Sequence, residues 1–396
     1  MALAAAGLLL VGGTATQAHA DSTRSQQWHL DAMQAEKMWR TSTGEGIVVA
    51  VIDSGVDPNN PDLRGRVLEG KDFAPASRPG DEHTDYEGHG TGMAGLIAGT
   101  GAHGGGKGAF GLAPGAKILP VRLPGPYDIN PFTTSAFFAK AIRYAADSGA
   151  QVINISRGGA SNTSELTEAV EYAIRKGALV FAAVGNSGDK ENRVEYPAGT
   201  PGVVGVAAVG KNLRRTSFSQ YGPQVDMAAP GEDMVHACGG KTGLCKTDGT
   251  SDATAIASAS AALIWSKHPE WTNNQVLRVM LNTIGAPTDG SKRNDSIGYG
   301  IVRPRIALQD PGDPGPPDVY PLPDFPVASP SASPRPTEVP NSGSGGSRSE
   351  ALADASAKSD GGNGLLWAAL GAGAVLLLGG TVAAFAVARR RRGSVL

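Results

Sequence analysis

Short, continuously apolar segments alternate in the middle of the chain with stretches that have the spacing of amphipathic helices. The apolar segments are rich in Val, Ile, Leu and Ala, which is typical of strands buried on both faces. They cover residues 47–52, 117–123, 151–156, 178–184 and 203–209. Helices are predicted between them, one over 134–148 before Gly149 and one from about Asn162 to Gly177. This alternation predicts an α/β fold with a mainly parallel sheet between helices.

Both ends of the chain carry apolar segments outside this pattern. Residues 1–20 join an apolar run to small residues before Ala20, which predicts a secretory signal peptide cleaved after that residue. Residues 364–388 hold no charge and are long enough to cross the roughly 30 Å hydrocarbon core of a bilayer. Four arginines follow at 389–392, and positive residues stay in the cytoplasm. We therefore expect a transmembrane helix rather than a buried core helix, with the bulk of the chain outside.

These segments divide the chain into regions. A short N-terminal extension, residues 21–44, precedes the body at 45–309, which holds the alternating pattern. Residues 310–363 are rich first in Pro and then in Ser, Gly and Ala, which predicts an extended stalk. The stalk leads to the transmembrane helix and to a basic cytoplasmic tail at 389–396. The expected location is the cell membrane, with a single span and an extracellular body.

Composition narrows the class of protein. The formal net charge is -2 and no basic patch lies in the body, so a nucleic-acid-binding protein is not expected. The two cysteines, Cys238 and Cys245, have no His or Cys neighbours at zinc-ligand spacing. Outside the cytoplasm the pair is expected to form one short-loop disulfide, the alternative being two unpaired buried thiols.

Neither a cofactor nor a metal is expected. The carboxylates of Asp57, Asp62, Asp81 and Asp85 match no calcium-binding spacing, so they are predicted to be solvated loop residues. Four histidines in loop-like or helix-end surroundings are predicted to be solvated as well; they are His83, His103, His236 and His268.

One serine, one histidine and one aspartate stand apart from these polar residues. Ser251 follows a Gly-Thr turn and opens a helix-forming stretch of small residues, where the helix N-terminus favours developing negative charge. His89 lies between glycines at the start of another small-residue helix, and Asp53 ends the first predicted strand. Taken alone, Ser251 could be a helix cap and Asp53 a cap or calcium ligand.

An amide donor is also available for an oxyanion. Asn186 follows the fourth predicted strand, directly after Gly185, and its side chain could join the backbone N–H of Ser251 in stabilising a tetrahedral intermediate. Taken alone, Asn186 could be a turn residue. The order Asp, His, Ser, each within two residues of a glycine at a predicted strand end or helix start, is a specific constellation, and it predicts a nucleophilic triad for peptide hydrolysis.

The segments around these residues resemble the signature segments of subtilisin-like serine proteases. They read VAVIDSGVD, GHGTGMAG, GLAPGA, NISRGG, VGNSG and GTSDATA, in that order, within about residues 45–309. The resemblance implies a serine endopeptidase with a three-layer fold that acts through an acyl-enzyme. It implies that Asp53 orients the base, His89 transfers the proton, Ser251 attacks and Asn186 donates to the oxyanion. It also implies that Ser156, Arg157 and Gly158 pair with the backbone of a protein or peptide substrate.

A narrower resemblance is to the mycosins, the membrane-anchored subtilases linked to type VII secretion. The signal peptide, the lead segment with Trp28 and Trp39, the cysteine pair, the stalk and the C-terminal helix carry it. It implies a type VII secretion complex as partner. A second hypothesis is a protease-like subunit that acts there mainly by contact, with weak turnover.

The sequence departs from the family pattern at three positions. Asp252 follows the nucleophile where an apolar residue is usual, and we expect its charge to raise the pKa of His89 and to oppose the oxyanion. Arg157 stands where leucine is usual, which predicts a preference for an acidic residue in the substrate, and Ala255 stands where proline is common. The extension at 21–44 is too short to fold alone, so we expect it to pack along the body through its tryptophans without blocking the site.

Overall fold

The computed structural model describes residues 22–125, 128, 133–239 and 243–325. The predicted signal peptide, transmembrane helix and cytoplasmic tail lie outside these residues, as does most of the predicted stalk. Within the part of the chain that the structure describes, no helix combines the length and the apolar character that crossing a bilayer requires.

A seven-stranded sheet forms the centre of the molecule, and all of its strand pairs are parallel. The strand order is β2-β3-β1-β4-β5-β6-β7. The strands are β1 (Val48–Asp53), β2 (Lys71–Asp72), β3 (Lys117–Arg122), β4 (Val152–Ile155), β5 (Leu179–Ala183), β6 (Val204–Val209) and β7 (Met227–Pro230). The five apolar segments identified in the sequence are β1, β3, β4, β5 and β6, which lie side by side and are almost wholly buried because helices cover both faces of the sheet.

Helices pack on the two faces of this sheet and complete three layers. The α-helices of the described residues are α1 (Trp28–Met33), α2 (Ala35–Trp39), α3 (His89–Ala98), α4 (His103–Gly106), α5 (Thr134–Asp147), α6 (Ser164–Arg175), α7 (Thr250–Lys267), α8 (Asn273–Asn282) and α9 (Pro304–Gln309). Helices α5 and α6 pack against each other in one layer, and α3 and α7 pack against each other in the other. Helix α6 begins at Ser164, two residues after Asn162, because the Thr163 side chain accepts the Leu166 N–H and caps the helix.

Helix α7 passes through the interior and contacts β1, β4, β5, β6 and β7. Its residues are buried from Thr250 to Trp265, and its small side chains allow strands and helices to approach it from all sides. Because α7 begins at the carboxyl edge of the sheet, the residues of its first turn meet the ends of β4 and β5. The antiparallel hairpin of β8 (Met234–Ala237) and β9 (Leu244–Thr247) leads into that turn.

The N-terminal extension packs along the body through its tryptophans, as the sequence predicts. The indole N–H of Trp28 donates to the carbonyl of Glu232 at 2.9 Å, and that of Trp39 donates to the carbonyl of Leu112 at 2.8 Å. The buried amide of Gln27 donates to the carbonyl of Val235 at 3.0 Å and also pairs with both backbone groups of Phe110. The extension is thus fastened to the β8 strand of the hairpin that precedes α7.

The body continues past the boundary at 309 that the sequence suggested. Residues 310–325 lie against α8, where the Arg278 side chain donates to backbone carbonyls of this segment. Tyr320 and Leu322 are buried. The first part of the predicted stalk is therefore packed on the body, because its carbonyls and few apolar side chains find partners there.

We predict that Gln27→Ala destabilises the body. It leaves Phe110 N–H, Phe110 C=O and Val235 C=O without their side-chain partner, and each buried unpaired group costs about 1–3 kcal/mol. For a domain of this size the melting temperature falls by roughly 2–4 °C per kcal/mol. Gln26→Ala, at an exposed neighbour, is the control and should leave the melting temperature unchanged. Equal melting curves for the two variants would show that the extension does not stabilise the body.

Candidate active site

Two of the candidate residues meet where a strand ends and a helix begins. Asp53 is the last residue of β1 and is fully buried, and His89 is the first residue of α3. The Nδ1 atom of His89 lies 2.8 Å from Oδ1 of Asp53, and the imidazole side chain is 37% exposed. A buried carboxylate on one ring nitrogen leaves the other nitrogen free to exchange a proton with a group in the cleft.

The carboxylate of Asp85, which was predicted to be solvated, holds the start of α3 through hydrogen bonds. Asp85 Oδ1 accepts the N–H of Gly88 at 2.8 Å, and Oδ2 accepts the N–H of Thr91 at 2.8 Å. Asp85 also accepts the hydroxyl proton of Ser54 at 2.8 Å, and Ser54 in turn accepts the N–H of Gly90 at 3.0 Å. The prediction that Asp85 is merely a solvated loop residue was therefore wrong, because it satisfies the free amides of this helix N-terminus.

Close approach at α3 requires glycine. A Cβ atom on Gly90 would lie 2.1 Å from the carbonyl oxygen of Gly55, and one on Gly92 would lie 2.7 Å from the ring of His236. Any larger residue would push α3 away from β1 or from β8. The glycines around His89 therefore set its distance from Asp53.

Electrostatics couples the aspartate and the histidine. Attraction to Asp53 outweighs the effect of burial and raises the pKa of His89 to about 9. Burial alone would raise the pKa of Asp53, but the charge and hydrogen bond of His89 outweigh it and lower that pKa. The pair therefore favours the imidazolium that forms when His89 accepts a proton.

The nucleophile candidate lies in the first turn of α7. Ser251 Oγ donates to the carbonyl of Ser156 at 3.0 Å, and Ser156 Oγ donates to the carbonyl of Ser251 at 3.1 Å. Among the described residues, Ser251 Oγ makes no hydrogen bond to His89. In unliganded enzymes such a contact is often loose and tightens when substrate binds.

Asn186 follows β5 and is tied to the same helix N-terminus. Its Oδ1 atom accepts the Thr250 N–H at 2.9 Å and the Thr250 hydroxyl at 3.0 Å. This orientation leaves Nδ2 without a hydrogen-bond partner among the residues that the structure covers. Ser251 N–H and Asn186 Nδ2 are thus both available beside the serine, as an oxyanion site requires.

The three predicted substrate-binding residues follow β4 at the edge of this cleft. Arg157 does not project a free charge from it: its Nη2 atom lies 3.3 Å from Oε2 of Glu87, and the side chain is 18% exposed. Gly158 and Ser156 line a cavity next to Ser251. Because Arg157 is already paired with Glu87, the structure gives no support to the expected preference for an acidic substrate residue.

Comparison with known proteins decides the family. A sequence profile of the subtilase family matches residues 44–300, which is more than half of the chain. The chain belongs to the subtilase family. It is 38% identical over 244 residues to thermitase of Thermoactinomyces vulgaris, which covers 61% of this chain and 83% of thermitase. It is 32% identical over 321 residues to fervidolysin of Fervidobacterium pennivorans, covering 74% of this chain but only 45% of the length of fervidolysin.

Solved structures of two mycosins are similar to this subtilase. MycP1 from the ESX-1 type VII secretion system superposes with a TM-score of 0.62 at 29% identity, covering 74% of this chain and 88% of MycP1. MycP3 from the type VII (ESX-3) system superposes with a TM-score of 0.60 at 33% identity, covering 71% of this chain and 87% of MycP3. The resemblance to subtilases and to mycosins that the sequence suggested is confirmed, and with it the class of serine endopeptidase.

Asp252 of this subtilase lies in a buried polar cluster with Thr247 and His236. Its Oδ1 atom accepts the hydroxyl proton of Thr247 at 2.5 Å and lies 3.6 Å from Nε2 of His236. Burial raises the pKa of Asp252 despite both partners, and the Asp252 charge contributes to the raised pKa of His89. The expectation of a solvated His236 was wrong: the residue is buried on β8, where its Nδ1 lies 2.8 Å from the carbonyl of Ala237.

The cysteine pair forms the expected disulfide. Cys238 and Cys245 are bonded to each other, with Cα atoms 5.8 Å apart, and neither thiol is free. The bond closes the β8–β9 hairpin on whose strands His236 and Thr247 lie. It therefore braces the cluster that contains Asp252.

Other carboxylates are structural or distant from this chemistry. Asp62 is fully buried and accepts the N–H groups of His103 and Ala109, which corrects the prediction that it is solvated. Within the described residues, the one group close enough to share an ion is Glu69, Glu82 and His83. Two of its members already face backbone groups, since Glu82 accepts the N–H of Gly70 and the His83 ring contacts the carbonyl of Leu68.

We predict that the pH dependence of peptide hydrolysis follows the charges around His89. Its neutral form accepts the proton, so kcat/KM should rise with pH until about pH 9. Asp252→Asn removes a carboxylate that raises this pKa, so the rise should move to lower pH. Arg157→Gln removes a cation that lowers it, so the rise should move to higher pH.

The measurement is kcat/KM for a reporter peptide between about pH 6 and about pH 11, which reports the pKa of the free enzyme. The two variants act in opposite directions and serve as each other's control. Profiles that shift in the same direction, or that coincide with the unsubstituted protein, would contradict this account of the site.

Proposed function

We propose that this subtilase hydrolyses peptide bonds with Asp53, His89 and Ser251 as its catalytic triad. The observation that carries the proposal is the 2.8 Å contact between His89 Nδ1 and the buried Asp53 carboxylate, at the start of α3, the helix that packs against the α7 helix that holds Ser251. This contact fixes the imidazole so that Nε2 is the atom that exchanges protons with the serine.

The reaction proceeds in two steps. Ser251 Oγ leaves the carbonyl of Ser156 and attacks the scissile carbonyl carbon, while His89 Nε2 takes the serine proton. The backbone N–H of Ser251 and Nδ2 of Asn186 stabilise the oxyanion. His89 then returns its proton to the leaving amine, and a water molecule activated by His89 hydrolyses the acyl-enzyme.

The substrate backbone lies along the segment that follows β4. Ser156, Arg157 and Gly158 lie beside the cleft, and the carbonyl of Ser156 already faces Ser251 Oγ. An extended peptide here would add a strand next to Gly158, a common mode of peptide recognition. In this arrangement Arg157 acts on the triad through its charge rather than on the substrate.

We place this activity at a membrane beside a type VII secretion complex. Support comes from the similarity to MycP1 and MycP3, whose structures are described as parts of such systems, and from the predicted signal peptide and the predicted span at 364–388. A stalk and a single anchor confine the active site near partners in the same membrane and raise its effective concentration toward them.

We predict that Ser251→Ala abolishes hydrolysis of a reporter peptide while the melting temperature stays close to that of the unsubstituted protein. Loss of this serine costs on the order of 10⁶ in kcat in subtilisin. A fluorophosphonate probe should label the unsubstituted protein and not the variant, since only an activated serine reacts. Ser266→Ala, in the last turns of the same helix, is the control and should be labelled. Labelling of the Ser251 variant would refute the triad.

For the cellular role, we predict that deletion of the whole chain stops type VII secretion and that Ser251→Ala stops the processing of a secreted protein. Comparing the two strains separates proteolysis from contact. Secretion that continues in the Ser251→Ala strain would assign export itself to the folded body as a subunit of the complex. Normal secretion and normal processing in both strains would contradict the type VII role.

A further inference from the structure

A small cavity adjoins the serine and the oxyanion donors. Its volume is about 270 Å³, and its walls include Ser156, Gly158, Gly185, Asn186, Glu195 and Ser251. Pockets that hold whole small molecules have roughly 300–1,000 Å³, so this one suits a single side chain. Because it touches both Ser251 and Asn186, its occupant belongs to the residue that supplies the scissile carbonyl.

The carboxylate of Glu195 lies between two glycines of this cavity. A Cβ atom on Gly158 would meet Glu195 Oε2 at 2.4 Å, and one on Gly185 would meet Glu195 Oε1 at 2.7 Å. The absence of side chains at these two positions therefore opens the way from the cleft to the carboxylate.

Glu195 has a neutral partner and no cationic one. Its Oε1 atom accepts a hydrogen bond from the Gln220 amide at 2.7 Å, and in the described part of the chain Glu195 forms no ion pair. The nearby cation of the cavity, Arg157, is held by Glu87. Burial raises the pKa of the Glu195 carboxyl, as expected for a carboxylate that loses water without gaining a counter-charge.

We propose that this cavity binds the side chain of lysine or arginine in the substrate, with Glu195 as the residue that selects it. The proposal rests on the proposed peptidase function of the same site. A cationic side chain would enter past Gly158 and Gly185 and place its N–H donors on Oε2 of Glu195, which Gln220 leaves free. Gln220 holds the carboxylate in position, and its amide also donates to Ser187 Oγ at 2.8 Å. Charge-assisted hydrogen bonds of this kind discriminate by about 10- to 100-fold between a charged side chain and a neutral one of the same shape.

The test compares two peptides that differ only in arginine or citrulline at the residue before the scissile bond, since citrulline has the shape of arginine without its charge. Binding is measured by calorimetry on the full chain with Ser251→Ala, so that no cleavage occurs. The arginine peptide should bind about 10- to 100-fold more tightly. Adding Glu195→Gln should remove this preference, while adding Glu191→Gln should retain it. Glu191 is an exposed carboxylate of the same loop, paired with Arg193, so it controls for net charge.

Equal affinities for the two peptides, or a preference that survives Glu195→Gln in a protein with an unchanged melting temperature, would overturn the proposal. Hydrolysis of both peptides by the unsubstituted protein separates the role of Glu195 from the peptidase function. Cleavage without preference would refute the role of Glu195 and leave the peptidase function intact. Preferential binding without cleavage would support the role of Glu195 and refute the peptidase function.

Discussion

The site depends on the contact between the Asp53 carboxylate and the His89 imidazole. This contact joins the end of β1 to the start of α3, so it exists only when the sheet and the helix layer are packed at the right distance. The interaction takes place at a fully buried carboxylate, where charges attract each other more strongly than in water. It accounts for the opposite pKa shifts of the two residues.

Hydrogen bonds and close packing in the surrounding structure maintain the distance between Asp53 and His89. Asp85 and Ser54 satisfy the amides at the start of α3, and glycines at 90 and 92 let the helix approach β1 and β8. On the other side of the cleft, Ser258 Oγ donates to Asn154 Oδ1, and Asn154 Nδ2 donates to Ser156 Oγ. This chain of buried hydrogen bonds holds α7 to β4 and thereby positions the first turn that carries Ser251.

The sequence predicted the structure best where a local pattern of residue types determines the local conformation. Continuous apolar segments predicted five strands, and glycines within two residues of Asp53, His89 and Ser251 marked the strand end and helix starts that the structure brings to one edge. Residues whose role depends on distant partners could not be predicted. His236 is buried because β8 pairs with β9, and Arg157 is not free because it pairs with Glu87. Glu195 faces the cavity because Gly185 and Gly158, about ten and forty residues away along the chain, have no side chains. Strand β2 was not predicted, since two residues carry little periodic signal. Strand β7 was not predicted either, since it lacks β-branched residues and ends in Pro230.

The Asp53 carboxylate controls the proton affinity of His89. This control can be measured by nuclear magnetic resonance titration of the His89 ring in the unsubstituted protein and in Asp53→Asn. We expect a pKa of about 9 for His89 in the unsubstituted protein. We expect this pKa to fall to about 6.5 or below in Asp53→Asn, because burial then acts with little opposition from a carboxylate. A pKa near 6.5 in both proteins, or one that stays near 9 without the Asp53 charge, would contradict it.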